Sequence, residues 1–229
     1  MPNEIIFIIE TICVFGLLTL VNKVFKKEGV IAWVCIATVL ANVITAKNAS
    51  IFGLDTAIGT VMFASTFLAT DMLSEFYGKQ YAKKAIILGL CSSAVLIIST
   101  QIALWYKPSY IDYADEYMRG LFSMNLRISL SSMIMYFIAN MADIYIFNKI
   151  KDRTGNKFMW LRNNVATIIC NCLENFGFIF LAFVGIYDIP TIINIALSTS
   201  VIELIAALID TPFLYLSRLS MKKELSEQV

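Results

Sequence analysis

The chain has 229 residues, of which 59% are hydrophobic and 15% charged, and it contains no histidine. A soluble domain carries about 25% charged residues, so a soluble fold is excluded, and the commonest metal ligand and proton shuttle is missing. The net charge of +1 says nothing about partners, and no metal, cofactor or nucleic acid is expected.

Crossing a hydrocarbon core of roughly 30 Å takes about 20 apolar helical residues. On that measure the chain divides into seven spans: Ile5–Phe25, Val30–Thr45, Phe52–Phe76, Ala85–Tyr106, Leu121–Ile150, Val165–Tyr187 and Thr191–Leu219. The expected fold class is all-α, a polytopic helical bundle in the lipid bilayer with about seven transmembrane helices. The first span follows "MPNE", which has no basic residue, and no small-residue cleavage site follows it. It is expected to anchor the chain rather than to be cleaved as a signal peptide. The fifth span, thirty residues long, would reach about 45 Å as one helix. It must tilt, break or run on into the basic "NKIKDRTG" stretch, where Gly155 is a natural C-terminal stop.

Basic residues alternate between connections. Lys23, Lys26 and Lys27 follow the first span, Lys79, Lys83 and Lys84 the third. Lys149, Lys151, Arg153, Lys157 and Arg162 follow the fifth, and Arg218, Lys222 and Lys223 the seventh. The other connections hold only Lys47, Lys107 and Arg119, and the one before span five is acidic through Asp112, Asp115 and Glu116. The positive-inside rule then predicts the N-terminus outside and the C-terminus in the cytoplasm. The five cysteines all fall in spans without a CxxC pair and read as small packing residues.

Ionisable groups inside a bilayer cost roughly 2.5–3.5 kcal/mol each on insertion scales, so they face protein or a cavity. Here they are Glu10, Asp71, Glu75, Arg127, Asp143, Glu174, Glu203 and Asp210. Counting about 1.5 Å per residue from the span ends puts Asp71, Asp143 and Asp210 at one level near the cytoplasmic side. Glu174 and Glu203 fall near the midplane, and Arg127 about 10 Å in from the outside. Glu75 is expected at the inner surface, in an ordinary ion pair near Lys79 or Lys83. Thr167, Asn171 and Glu174 share a helix face at i, i+4 and i+7, Asn140 and Asp143 share another, and Asn42 adds an amide to span two. Polar faces on so many spans predict one shared cavity. Serines of spans four and five are expected to serve helix packing.

No GxxxxGK[ST], HExxH or GxSxG stretch is present, so nucleotide hydrolysis, zinc peptidase and serine hydrolase chemistry lack their signatures. The residues leave three alternatives open: a secondary transporter, the substrate-capture subunit of an energy-coupling-factor importer, and an intramembrane enzyme using the inner aspartates.

"LATDMLSEFYGKQYAKKA" (Leu68–Ala85), "FNKIKDRTGNKFMWLRNNVAT" (Phe147–Thr167) and "LIDTPFLYL" (Leu208–Leu216) resemble the queuosine precursor transporter family, also called the vitamin uptake transporter family. The resemblance implies a six-helix core over residues 29–229, with residues 1–28 an additional N-terminal transmembrane helix. It implies a non-enzymatic importer in the bacterial inner membrane whose partner is a small-molecule 7-deazaguanine base, 7-cyano- or 7-aminomethyl-7-deazaguanine, salvaged for the queuosine of transfer RNA. An ATPase partner is possible but not required. Two positions depart from the family pattern: Glu174, where relatives usually carry aspartate, and Glu203, where many carry lysine. A cavity one cation poorer favours a cationic ligand, such as the aminomethyl base, or a proton. On this expectation the substrate meets Asn42, Phe67, Asp71, Arg127, Asn171, Glu174, Phe176 and Glu203, and Asp71, Asp143 and Asp210 serve proton coupling or gating. Glu174 with Asn171 would read the base edge, Phe67 or Phe176 would stack on the base, and Arg127 would bond an acceptor on it or hold a carboxylate.

Overall fold

A computed structural model describes residues 1–122, 126–155 and 157–227. Its first helix, α1, runs from Asn3 to Ile44, 42 residues, and unbroken it would be about 63 Å long, twice the bilayer core. Lys26, at φ 52° and ψ −141°, breaks it. The chain then doubles back: Asn3 Nδ2 donates to Ser50 O at 2.9 Å and the Phe52 amide donates to Glu4 Oε1 at 3.2 Å. Gly29 permits the close turn, since a Cβ there would stand 2.5 Å from Phe25 Cβ and 2.9 Å from Val21 Cγ1. The two arms of α1 are the first two predicted spans.

The next segment departs from expectation. The apolar run beginning at Phe52 was expected to be helical, yet β1 (Asn48–Ile51) and β2 (Leu54–Ala57) form an antiparallel hairpin. Phe52 and Gly53 both have positive φ, 53° and 75°, the conformation that a two-residue hairpin turn of the primed type requires and a right-handed helix forbids. The Phe52 ring lies edge-on to Phe7 with centroids 6.5 Å apart, which fixes the hairpin tip against α1.

The helix proper, α2, spans Thr60–Phe76, 17 residues or about 25 Å. From Thr60 to Ser74 every residue except Phe63 is buried, as expected for a helix that is apolar all round. It packs on α1 and on every spanning helix that follows, and so forms the axis of the bundle. Gly78, at φ 105°, turns the chain into α3 (Lys79–Trp105), whose faces are largely open to lipid.

The acidic connection contains a short helix, α4 (Asp115–Phe122). Asp112 Oδ1 accepts the Ala114 and Asp115 amides at 2.7 and 3.2 Å, and Arg119 Nε donates to Asp115 Oδ2 at 2.7 Å. The fifth span had been expected from Leu121; Leu121 and Phe122 instead close α4, and part of the expected start, residues 123–125, lies outside the described residues. Helix α5 (Leu126–Thr154) then runs past the expected membrane exit and stops at Gly155, φ 56°, whose amide donates to Lys151 O at 2.8 Å. Helices α6 (Met159–Phe183) and α7 (Ile189–Glu227) complete the bundle.

Among the described residues, five helices are long and apolar enough to cross a membrane. Since α1 crosses twice and the buried α2 adds one more, the chain makes seven passes, and the fold is the expected helical bundle. Alternate turns share an end. Lys27 Nζ lies 3.4 Å from the Tyr81 hydroxyl, and Lys151 Nζ donates to the Ser74 and Glu75 carbonyls at 2.9 and 2.8 Å. The turns at Lys26, Gly78 and Gly155 therefore meet at a basic end, while the hairpin and the turn at Gly185 mark the other, the hairpin end.

Glu75 is tied at the basic end, but to other partners than the nearby lysines. Its Oε1 accepts Arg162 Nη2 at 2.7 Å and its Oε2 lies 3.2 Å from Lys151 Nζ. Arg162 is fully buried. It also donates Nη1 to the Gly155 and Lys157 carbonyls at 3.0 and 3.1 Å. The triad clamps α2, α5 and α6 together.

Candidate functional site

Between the hairpin and the middle of the bundle lies a cavity of about 350 Å³, within the ~300–1,000 Å³ range of small-molecule sites. Its mouth carries Asn48, Asp55 and Thr56 of the hairpin; its walls include Asn42, Phe63, Ser93, Ser132, Tyr136 and Phe178; Glu174 and Glu203 reach it from α6 and α7. Asp55 of β2 thus belongs to the mouth. Ser93 and Ser132, expected only in packing, also line the wall.

The wall is held by bonds that leave specific polar atoms over. Asn42 Nδ2 donates to Thr38 O at 2.8 Å and to Ser93 Oγ at 3.3 Å. The Thr38 hydroxyl gives its proton to Val34 O at 2.5 Å and stands 3.4 Å from the Tyr136 hydroxyl. Tyr136 approaches α3 so closely that a Cβ on Gly89 would collide with its hydroxyl oxygen. Asn175 Nδ2 donates to Glu203 Oε2 at 2.6 Å and to Ser200 Oγ at 3.3 Å. Glu174 Oε2, by contrast, is buried with no hydrogen-bond partner among the described residues. A buried polar group left unpaired costs about 1–3 kcal/mol, so the Glu174 carboxyl keeps an unmet demand for a donor.

Below the cavity the bundle is layered. One turn beyond Phe63 on α2, Phe67 is fully buried, its ring 5.6 Å from that of Phe63 and packed against Ala139 of α5 and Cys170 of α6. This apolar layer separates the cavity from an inner polar cluster. There Asp71 of α2 and Asp143 of α5 face each other and interact electrostatically with Asp210 of α7. Asp210 Oδ1 accepts Asn163 Nδ2 at 2.6 Å. No donor among the described residues reaches either oxygen of Asp71 or Asp143, and the Thr167 hydroxyl and both amide atoms of Asn171 are also buried and unpaired. Two facing carboxyls bond each other only when one carries a proton.

Of the residues expected to meet a substrate, the structure sets Asn42, Glu174 and Glu203 on the cavity wall. Phe67, Asp71 and Asn171 lie beneath it. Phe176 is 38% exposed and faces away from the bundle. Arg127 is at the hairpin end, donating Nε to Leu181 O at 2.8 Å and Nη2 to Val184 O at 2.7 Å. These carbonyls lie in the last turn and C-cap of α6, where unsatisfied acceptors and the helix dipole favour a cation. Asp143 and Asp210 join Asp71 in the inner cluster. The aromatic residues that do line the cavity, Phe63, Tyr136, Phe178 and Phe183, were not singled out from the sequence. The signal was available: Phe178 is four residues after Glu174, on the same face, whereas Phe176 is two after it, about 200° round the helix.

A bundle of seven passes with a solute-sized cavity, open near one end and sealed toward the other, is the architecture of a helical membrane transporter. A model of the family described as "Putative vitamin uptake transporter" matches residues 57–217. The chain is also 31% identical over 219 residues, covering 95% of this chain and 96% of the relative, to the "Probable queuosine precursor transporter" of Bacillus subtilis (strain 168). No solved structure matches it. The chain belongs to the vitamin uptake transporter family, membrane transporters rather than enzymes.

Proposed function

We propose that this protein imports 7-deazaguanine precursors of queuosine, 7-cyano- or 7-aminomethyl-7-deazaguanine, as a secondary transporter driven by protons. The relative's name supports the substrate. The observation that carries the reading is the Glu174 carboxyl on the cavity wall, whose Oε2 has no hydrogen-bond partner among the described residues. A guanine-like edge presents a ring N–H and an exocyclic amine side by side, and one carboxylate accepts from both. Phe63, Phe178 and Tyr136 offer ring faces to a flat base, with stacking worth about 1–3 kcal/mol by analogy with single-stranded nucleic acids. Asn42, whose two Nδ2 hydrogens go to Thr38 and Ser93, offers its Oδ1 to a further ring N–H of the base. Arg127 acts at one remove, holding the end of α6 that carries Glu174 and Phe178.

Asn171 and Thr167, one and two turns below Glu174 on the same face, supply the next polar contacts inward, once Phe67 yields. Asp71 and Asp143 carry a proton between them, and Asp210 sits ready to receive it. The basic-residue bias favours the hairpin end outside and the C-terminus in the cytoplasm of a bacterial inner membrane, so the cavity faces incoming substrate. Residues 1–28, the first arm of α1, are an addition to a core formed by residues 29–229.

The test is uptake of labelled 7-deazaguanine by the purified chain in liposomes under an imposed proton gradient and without ATP. Glu174→Gln is expected to abolish uptake while leaving the protein in the membrane. Normal uptake by that variant refutes the assignment, and a strict need for an added ATPase refutes the secondary mechanism.

A further inference from the structure

The charge of the cavity wall goes further than the shape. Its lining includes three carboxyl groups, Asp55 at the mouth with Glu174 and Glu203 inside, and no lysine or arginine among the described lining residues. Lys47, next to Asn48 at the mouth, is exposed rather than part of the lining, and the cations within the bundle have other work. Arg127 donates to the Leu181 and Val184 carbonyls, and Arg162 and Lys151 bind Glu75 at the basic end. A base of the guanine kind needs only one carboxylate for its edge. The second, Glu203, is held in place by Asn175 Nδ2 at 2.6 Å on Oε2, a bond that orients the group without supplying a counter-charge. Glu174 and Glu203 interact electrostatically with each other, so a neutral ligand leaves two acids close together, whereas a cation relieves them.

We propose that the site selects a flat heteroaromatic base bearing a protonated primary amine, with Glu203 as the residue that recognises the ammonium. This rests on the cavity being the base site. Of the two precursors, the aminomethyl base carries that ammonium on the five-membered ring, away from the N–H and amine edge that Glu174 takes. The nitrile of the cyano base is an acceptor only, so it offers nothing to a Glu203 carboxylate, which is itself an acceptor. Asp55 at the mouth adds a field that draws cations toward the cavity.

A charge-assisted hydrogen bond is worth enough to set the preference at about tenfold or more. The test is competition between labelled 7-aminomethyl-7-deazaguanine and 7-cyano-7-deazaguanine for uptake by the full chain in liposomes. The expected result is an aminomethyl preference of about that size, falling toward parity in Glu203→Gln and kept in Glu203→Asp. Should Glu203→Gln not reach the membrane, the preference of the unaltered chain decides alone. Equal uptake, or a cyano preference, overturns the selectivity and leaves the import function standing. Uptake of neither base overturns both. Preference for the aminomethyl base with no change in Glu203→Gln overturns the assignment to Glu203.

Discussion

Replacing Glu75 by Gln isolates the clamp at the basic end. The substitution keeps shape and removes the charge that Arg162 Nη2 meets at 2.7 Å and Lys151 Nζ at 3.2 Å. Breaking a buried ion pair from one side costs about 3–5 kcal/mol, because the other charge stays buried. Arg162 keeps the Gly155 and Lys157 carbonyls, and Lys151 keeps those of Ser74 and Glu75. The loss therefore sits at the lower end, about 3 kcal/mol. For a chain of this length each kcal/mol moves Tm by about 2–4 °C, so thermal unfolding of the purified protein in detergent should fall by about 6–12 °C. Arg162→Met alone should cost at least as much. The double variant should be more stable than the two single losses summed, because neither charge is then stranded. A fall of under about 2 °C in Glu75→Gln, or strict additivity in the double variant, would show that the triad does not bind α2, α5 and α6 together.

Two further outcomes follow from the cavity and the cluster beneath it. Phe178→Ala should raise the KM for uptake by about 5- to 150-fold through lost stacking, and Phe176→Ala should leave it within about twofold, as for other exposed positions; a reversed order in transport assays would mean the cavity is misassigned. Asp71→Asn should remove the response of net uptake to an imposed proton gradient while retaining exchange of labelled for unlabelled substrate. Gradient-driven accumulation at the normal level in that variant would place coupling elsewhere.

Much of the bundle could be read from the chain because lipid imposes a coarse rule. Apolar length marks each pass, and the alternation of lysine and arginine assigns each turn to an end. The same counting put Asp71, Asp143 and Asp210 at one level, where their carboxyls do interact, and Glu174 and Glu203 at another. What escaped was information that hydropathy does not hold. Ile51, Phe52 and Leu54 are apolar enough for a helix, and only the positive φ of Phe52 and Gly53 makes them a hairpin. Lysines near Glu75 in sequence seemed its natural partners, whereas Arg162 lies 87 residues away and meets it only because α2 and α6 cross there. Arg127 read as a substrate ligand because intramembrane arginines usually face function, but helix ends also need cations, and α6 ends beside it.

The partition formed by Phe67, Ala139 and Cys170 is a single side chain thick. It stands between the cavity and the buried carboxyls of Asp71 and Asp143. Because its other two members, Ala139 and Cys170, are small, one aromatic ring accounts for most of the bulk between the two polar layers.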